Sequence, residues 1–138
     1  MKTYITALQV QAEPAELDGE NGYWVTFADG WVTEKIWMPD DQFEAHFFPL
    51  EREDKISETD IINFYARGKE ELSTIGQKTT LLHATMPTGY EISEVSSCVD
   101  PKNYSLELGA QLCTDKIKDR LCPHFGFMLQ WANNGLSS

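Results

Sequence analysis

Apolar and polar residues alternate from the start of the chain. Tyr4, Thr6, Leu8, Val10 and Ala12 fall on one face of a predicted strand. Glu13-Pro14 and the stretch 17–22 (LDGENG) are rich in turn residues and read as a loop. Alternation resumes at Tyr23, Val25 and Phe27, and Asp29-Gly30 separates that run from Trp31 to Met38. Asp-Gly supplies the positive φ angles of a tight turn, so Tyr23 to Met38 is predicted to be a β-hairpin.

The period then changes from two to three or four. Pro39-Asp40-Asp41 makes a helical first turn, because acids suit the positive end of the helix dipole. Phe43, His46 and Phe47 share one face, and Pro49 ends this short helix. The charged run Glu51 to Lys55 reads as a linker. Ser57 opens a longer helix with Asp60 as its capping-box partner. Ile61, Phe64, Tyr65, Leu72 and Ile75 continue it at helical spacing, weakened by Gly68. Thr79 to Thr85 is predicted to be a strand, Met86-Pro87-Thr88-Gly89 a turn, and Tyr90 to Ser96 the returning strand. Asp100-Pro101 opens a last helix over about 102–121, with Leu106, Ala110, Cys113, Ile117 and Leu121 as its buried stripe. Pro123 and Gly126 break or kink it, leaving Phe127 to Trp131 as an apolar tail that needs a place to dock. The expected architecture is α+β. It has an N-terminal β-hairpin module over 1–50, a linker over 51–56, and a second domain over 57–138 with a hairpin flanked by two helices.

Charge narrows the range of partners. The 138 residues carry 22 acidic and 11 basic side chains, a net of −11. So acidic a chain repels nucleic acid and anionic membrane, and neither is expected as a direct partner. The excess is concentrated early, since residues 1–50 hold two basic and nine acidic side chains, a net of −7. The N-terminus lacks the apolar core of a signal peptide, and the charge-free stretch 121–138 is too polar to span a bilayer. Cys98, Cys113 and Cys122 are odd in number and show no CxxC spacing, which predicts reduced thiols in a cytoplasm.

Candidate chemistry is sparse. His46, His83 and His124 show no HxxxH or HExxH spacing, so neither a metal nor a cofactor is expected. A GxSxG elbow, a Walker loop and a GxGxxG motif are all missing, and catalysis is not expected. One basic cluster stands out in the acidic whole. Lys116 and Arg120 lie one turn apart beside the apolar stripe of the last helix, with Lys118 rotated away. A guanidinium there suits a bidentate pair with a phosphate. The plainer reading is a helix C-terminus carrying cations, with Asp115 and Asp119 as partners. Trp24, Trp31 and Trp37 crowd the first hairpin, as an interaction surface or as sheet packing.

Three blocks carry a family resemblance: Lys78 to Tyr90 (KTTLLHATMPTGY), Ser97 to Tyr104 (SCVDPKNY) running on to Gly109, and Gly126 to Trp131 (GFMLQW). In order and spacing they resemble a family of small tailed-phage proteins typified by the N4-like and Sf6-like phages. That family is similar to, and includes, signal-sequestering proteins of the Thoeris anti-defence one type. The resemblance covers about residues 57–132. Many members of the family that the chain resembles carry tryptophan where this chain has Cys122 and an acid where it has Phe125. The first fifty residues resemble a separate phage fusion module, on Gly22-Tyr23, Asp29-Gly30, Trp37, Pro39, Phe43 and Pro49-Leu50.

The resemblance implies an α+β subunit that forms homo-oligomers in the host cytoplasm and sequesters a nucleotide-derived immune signal, cyclised ADP-ribose or a cyclic oligonucleotide. By position, Tyr90 is implied to stack on adenine, while Asn103 and Arg120 hold polar groups and Lys116 lends a supporting charge. Asn103 and Arg120 are 17 residues apart. On one straight helix that is about 25 Å, so a shared pocket calls for a later helix start or a second subunit. The alternative function is an acidic protein that inhibits a host enzyme or defence complex, which the net charge of residues 1–50 favours.

Overall fold

The computed structural model describes residues 1–27 and 34–137. The chain divides into two compact units, Met1–Leu50 with Phe127–Ser138, and Glu51–Gly126. It is α+β, with two three-stranded antiparallel sheets and three α-helices among the described residues.

The first unit holds a sheet in the order β1 (Val10–Leu17), β2 (Glu20–Phe27), β3 (Ile36–Pro39). The predicted hairpin is present, with Tyr23 opposite Met38 and Trp24 opposite Trp37. Its Asp29-Gly30 turn and Trp31 lie outside the described residues. The expected strand from Tyr4 is corrected, since residues 1–9 belong to no element and β1 starts at Val10. The expected loop over 17–22 is also corrected. Leu17 pairs with Glu20 across the two residues Asp18 (φ 53°) and Gly19 (φ 81°). Two successive positive φ angles are what a type I′ hairpin needs, so this Asp-Gly joins β1 to β2. Pro14 misleads as a loop signal; β1 is an edge strand, where a missing N–H is tolerated. Gly22 is fixed by close approach, because a Cβ there would stand 2.3 Å from the Met38 carbonyl oxygen.

Helix α1 (Asp40–His46) follows Pro39, which sits at the N-cap. Tyr23 stacks on Phe43 at 4.2 Å and Phe43 on Phe47 at 4.9 Å. Partial burial, and then the Glu44 carboxylate that accepts its hydroxyl hydrogen bond, hold the Tyr23 phenol above its ordinary pKa.

The second unit opens with α2 (Glu58–Ala66), whose capping box is formed by Ser57 and Asp60 as predicted. The buried Asp60 carboxylate also accepts the Glu51 N–H at 3.0 Å, tying the charged 51–56 stretch onto the helix start. The helix ends at Ala66, so the expected continuation to Ile75 is corrected. Lys69–Ile75 is a strand, β4, and Gly68 makes the passage, where any Cβ would stand 2.4 Å from the Thr85 carbonyl oxygen. The sheet runs β4, β5 (Thr79–Thr85), β6 (Glu91–Ser97), three strands rather than the predicted hairpin alone. The Met86–Gly89 turn is present, with the Gly89 N–H donating to the Met86 carbonyl.

A short 3₁₀ turn (Pro101–Asn103) capped by Asp100 leads to α3 (Leu106–Asn134). The helix therefore starts four residues later than expected and runs through Pro123 without ending. Proline deletes one helical hydrogen bond, but Leu121 and Phe125 anchor the turns on either side of it in the core. Phe127 is 71% exposed, whereas Leu129 and Trp131 are half-buried. Gly135, at φ 64°, closes the helix by donating to the Trp131 carbonyl.

The core of this unit joins Leu82, Ala84 and Ile92 of the sheet to Cys113, Ile117 and Leu121 of α3 and Ile61 of α2. Burying a side chain the size of Leu82, Ile92 or Ile117 is worth about 1.5–3 kcal/mol. Of the predicted stripe on α3, Leu106 is exposed and Ala110 half-buried, while Cys113, Ile117 and Leu121 form the buried face. Gly109 extends it by letting the helix lie directly on Thr80. Cys98, Cys113 and Cys122 are free thiols, and burial pushes the Cys113 thiol up. Among the described residues no helix is long and apolar enough to cross a membrane.

Candidate ligand-binding site

One flank of α3 carries Lys116, Arg120 and His124 at successive i, i+4 positions. This flank faces β6. Lys116 Nζ donates to the Val95 carbonyl at 2.8 Å. Arg120 Nη1 meets the Glu94 Oε1 at 3.0 Å and the Ser93 carbonyl at 3.5 Å. The plainer sequence reading paired these cations with Asp115 and Asp119; the recorded ion pair runs across to the sheet instead, and Asp115 accepts from Gln111. Lys118 points elsewhere and lies 5.7 Å from the centre of the Tyr65 ring.

Tyr90 sits just before β6 and is 56% exposed. Its ring makes an edge contact with His124, centroids 6.2 Å apart, one helical turn beyond Arg120. Tyr90, Arg120 and Lys116 therefore occupy one side of the unit, strung along the β6 edge. His124 joins them, a residue that sequence reasoning weighed only as a metal ligand. An i, i+4 continuation of the Lys116–Arg120 row was the signal for it.

Asn103 is placed differently. It closes the 3₁₀ turn beyond the far end of β6, while Tyr90 precedes the near end. Seven strand residues at about 3.3 Å each put roughly 23 Å between the two ends. The helix gives a similar span, since Arg120 is 14 residues beyond Leu106 and about 21 Å along α3. Within one chain these spans set Asn103 apart from Tyr90 and Arg120.

The opposite flank of α3 is different in chemistry. Leu106, Ala110 and Thr114 border β4 with Glu70 and Leu72, enclosing a shallow groove of about 570 Å³. The Tyr65 hydroxyl donates to Glu70 nearby, and burial, followed by that bond, pushes its phenol up to about 12. Among the described residues no group of three metal-ligating side chains converges.

An acidic α+β protein with a small cation row beside an exposed ring is the class this geometry defines. Residues 50–132 match the model of the phage protein (N4 Gp49/phage Sf6 gene 66) family. The chain belongs to that family. No curated protein and no solved structure matches it.

Proposed function

We propose that this phage-family protein captures a small nucleotide-derived immune signal, cyclised ADP-ribose or a cyclic oligonucleotide, and so blunts host anti-phage defence without converting the molecule. The observation that carries the reading is the row of Lys116 and Arg120 beside the exposed ring of Tyr90. A planar fork and an ammonium suit phosphate oxygens, and a ring suits a base. Asn103, at the far end of β6, would reach the same ligand from a second subunit.

Arg120 is held by Glu94, so an anionic ligand takes the place of that carboxylate. Calorimetry with cyclised ADP-ribose and with adenine-containing cyclic oligonucleotides tests this. The wild type binds at least one of them, and Arg120→Ala weakens it about 10- to 150-fold, as loss of a charge-assisted contact requires. Glu94→Gln tightens it. Equal binding by wild type and Arg120→Ala refutes the site. Heating the complex separates capture from turnover, because captured signal is released intact.

The net of −7 in residues 1–50 favours a second reading, an acidic inhibitor of a basic host protein. It is the better account if none of these signals binds.

A further inference from the structure

The two edges of the Glu51–Gly126 sheet are unlike. On β6, Lys116 and Arg120 reach over from α3 and occupy the carbonyls of Val95 and Ser93. On β4 all seven residues are exposed, and among the described residues no strand lies beyond it. An open edge, with its row of unpaired N–H and C=O groups, is a template for another strand.

The direction of the free groups on β4 follows from the ladder. Cys98 N–H donates to the Lys78 carbonyl, and Met86 N–H to the Tyr90 carbonyl. The even-numbered residues of β5 therefore face β6, and its odd-numbered residues face β4. Their register partners Lys69, Glu71, Ser73 and Ile75 spend their backbone groups on β5. Glu70, Leu72 and Thr74 are left with N–H and C=O pointing outward.

We propose that a second copy of this chain pairs with β4, antiparallel and about a two-fold axis through Leu72, joining the two sheets into one. Leu72 is the midpoint of the strand, so this register uses all seven residues. Its free groups match: Leu72 exchanges bonds with Leu72 of the second copy, and Glu70 with Thr74. It sets no two carboxylates directly opposite, since Glu70 meets Thr74 and Glu71 meets Ser73. A register centred on Glu71 would oppose Glu71 to itself. The exposed Leu72, at 41%, also borders the groove against Leu106 and Ala110, so the two leucines would bury each other there. Glu71 stands diagonal to its own copy, so salt strengthens the pairing by screening that repulsion. This inference is independent of the ligand reading above.

Sedimentation of the full chain at tens of micromolar tests it. The wild type is expected to be a dimer that tightens with added salt. Leu72→Asp and Leu72→Lys each place like charges on the axis and are expected to raise the dissociation constant about tenfold or more. Leu72 is exposed, so circular dichroism of both variants stays that of the wild type. In a Cys98→Ser, Cys122→Ser background, a short bis-maleimide is expected to link Leu72→Cys chains and to leave Val95→Cys chains, on the covered edge, unlinked. A monomeric wild type, a dimer indifferent to both charged variants, or linkage at Val95→Cys in place of Leu72→Cys overturns the proposal.

Discussion

Gly109 tests the way α3 lies on its sheet. A Cβ at this position would stand 2.0 Å from the Thr80 hydroxyl oxygen and 2.7 Å from the Thr80 Cβ. Turning the Thr80 side chain relieves the first clash but not the second, because Cβ does not move with χ1. That turn also breaks the hydroxyl's 2.9 Å hydrogen bond with Tyr104, in a residue fully buried. Gly109→Ala therefore forces helix and strand apart. Overpacking of this kind costs about 1–3 kcal/mol, more than the roughly 1 kcal/mol that alanine gains over glycine in a helix. Gly126 lies in the same helix with nothing within 4 Å of its would-be Cβ. Gly126→Ala is expected to gain about 0.4–1 kcal/mol. Urea unfolding followed by circular dichroism reads both as shifts in midpoint at constant slope. Adding Thr80→Ala to Gly109→Ala should recover part of the loss, as a positive coupling between touching sites. Gly109→Ala as stable as the wild type would refute the packing argument.

Two further outcomes follow from the second unit. Asp60→Ala removes the buried carboxylate that accepts from the Glu51 and Ser57 N–H groups and should cost about 1–3 kcal/mol by thermal melting, with Asp60→Asn intermediate. The Tyr65 phenol is raised to about 12 by burial first and then by Glu70. Its contribution to stability is present in full below pH 10, where the unfolded phenol begins to ionise, and is lost as pH rises towards 12. Denaturation between pH 9 and 12 should show a shallower decline for Tyr65→Phe than for the wild type.

Sequence patterns located elements wherever one local rule governed them. Ser57 with Asp60 acts through backbone groups within three residues and opens α2 where predicted, whereas Asp100-Pro101 caps a 3₁₀ turn and α3 itself starts at Leu106. Leu72 and Ile75 mislead because β4 is exposed on both faces. Its two apolar residues point to opposite sides, three apart, and that spacing imitates a helix. Pro123 misleads in the other direction, since a local break is overruled by tertiary anchors at Leu121 and Phe125. The cation row was legible as a helical spacing. Its partner Glu94, 26 residues away in sequence, depends on how α3 registers on β6, and no local pattern encodes that.

The cation row answers two demands at once. Held on Glu94 and on the carbonyls of Ser93 and Val95, Lys116 and Arg120 cover an edge that would otherwise invite a strand. The same groups are the ones the proposed capture function offers to an anion, so binding and edge protection draw on one set of hydrogen bonds. An anion that takes Arg120 releases the Glu94 carboxylate and bares the Ser93 carbonyl. Capture is then linked to the state of β6, and hydrogen exchange should show it. Amides along 91–97 are expected to exchange faster in the liganded protein than in the free one, while those of the buried partner strand β5 stay unchanged. Uniform protection of β6 on binding would mean that the ligand leaves Arg120 where it is, and that the anion site lies elsewhere on the chain.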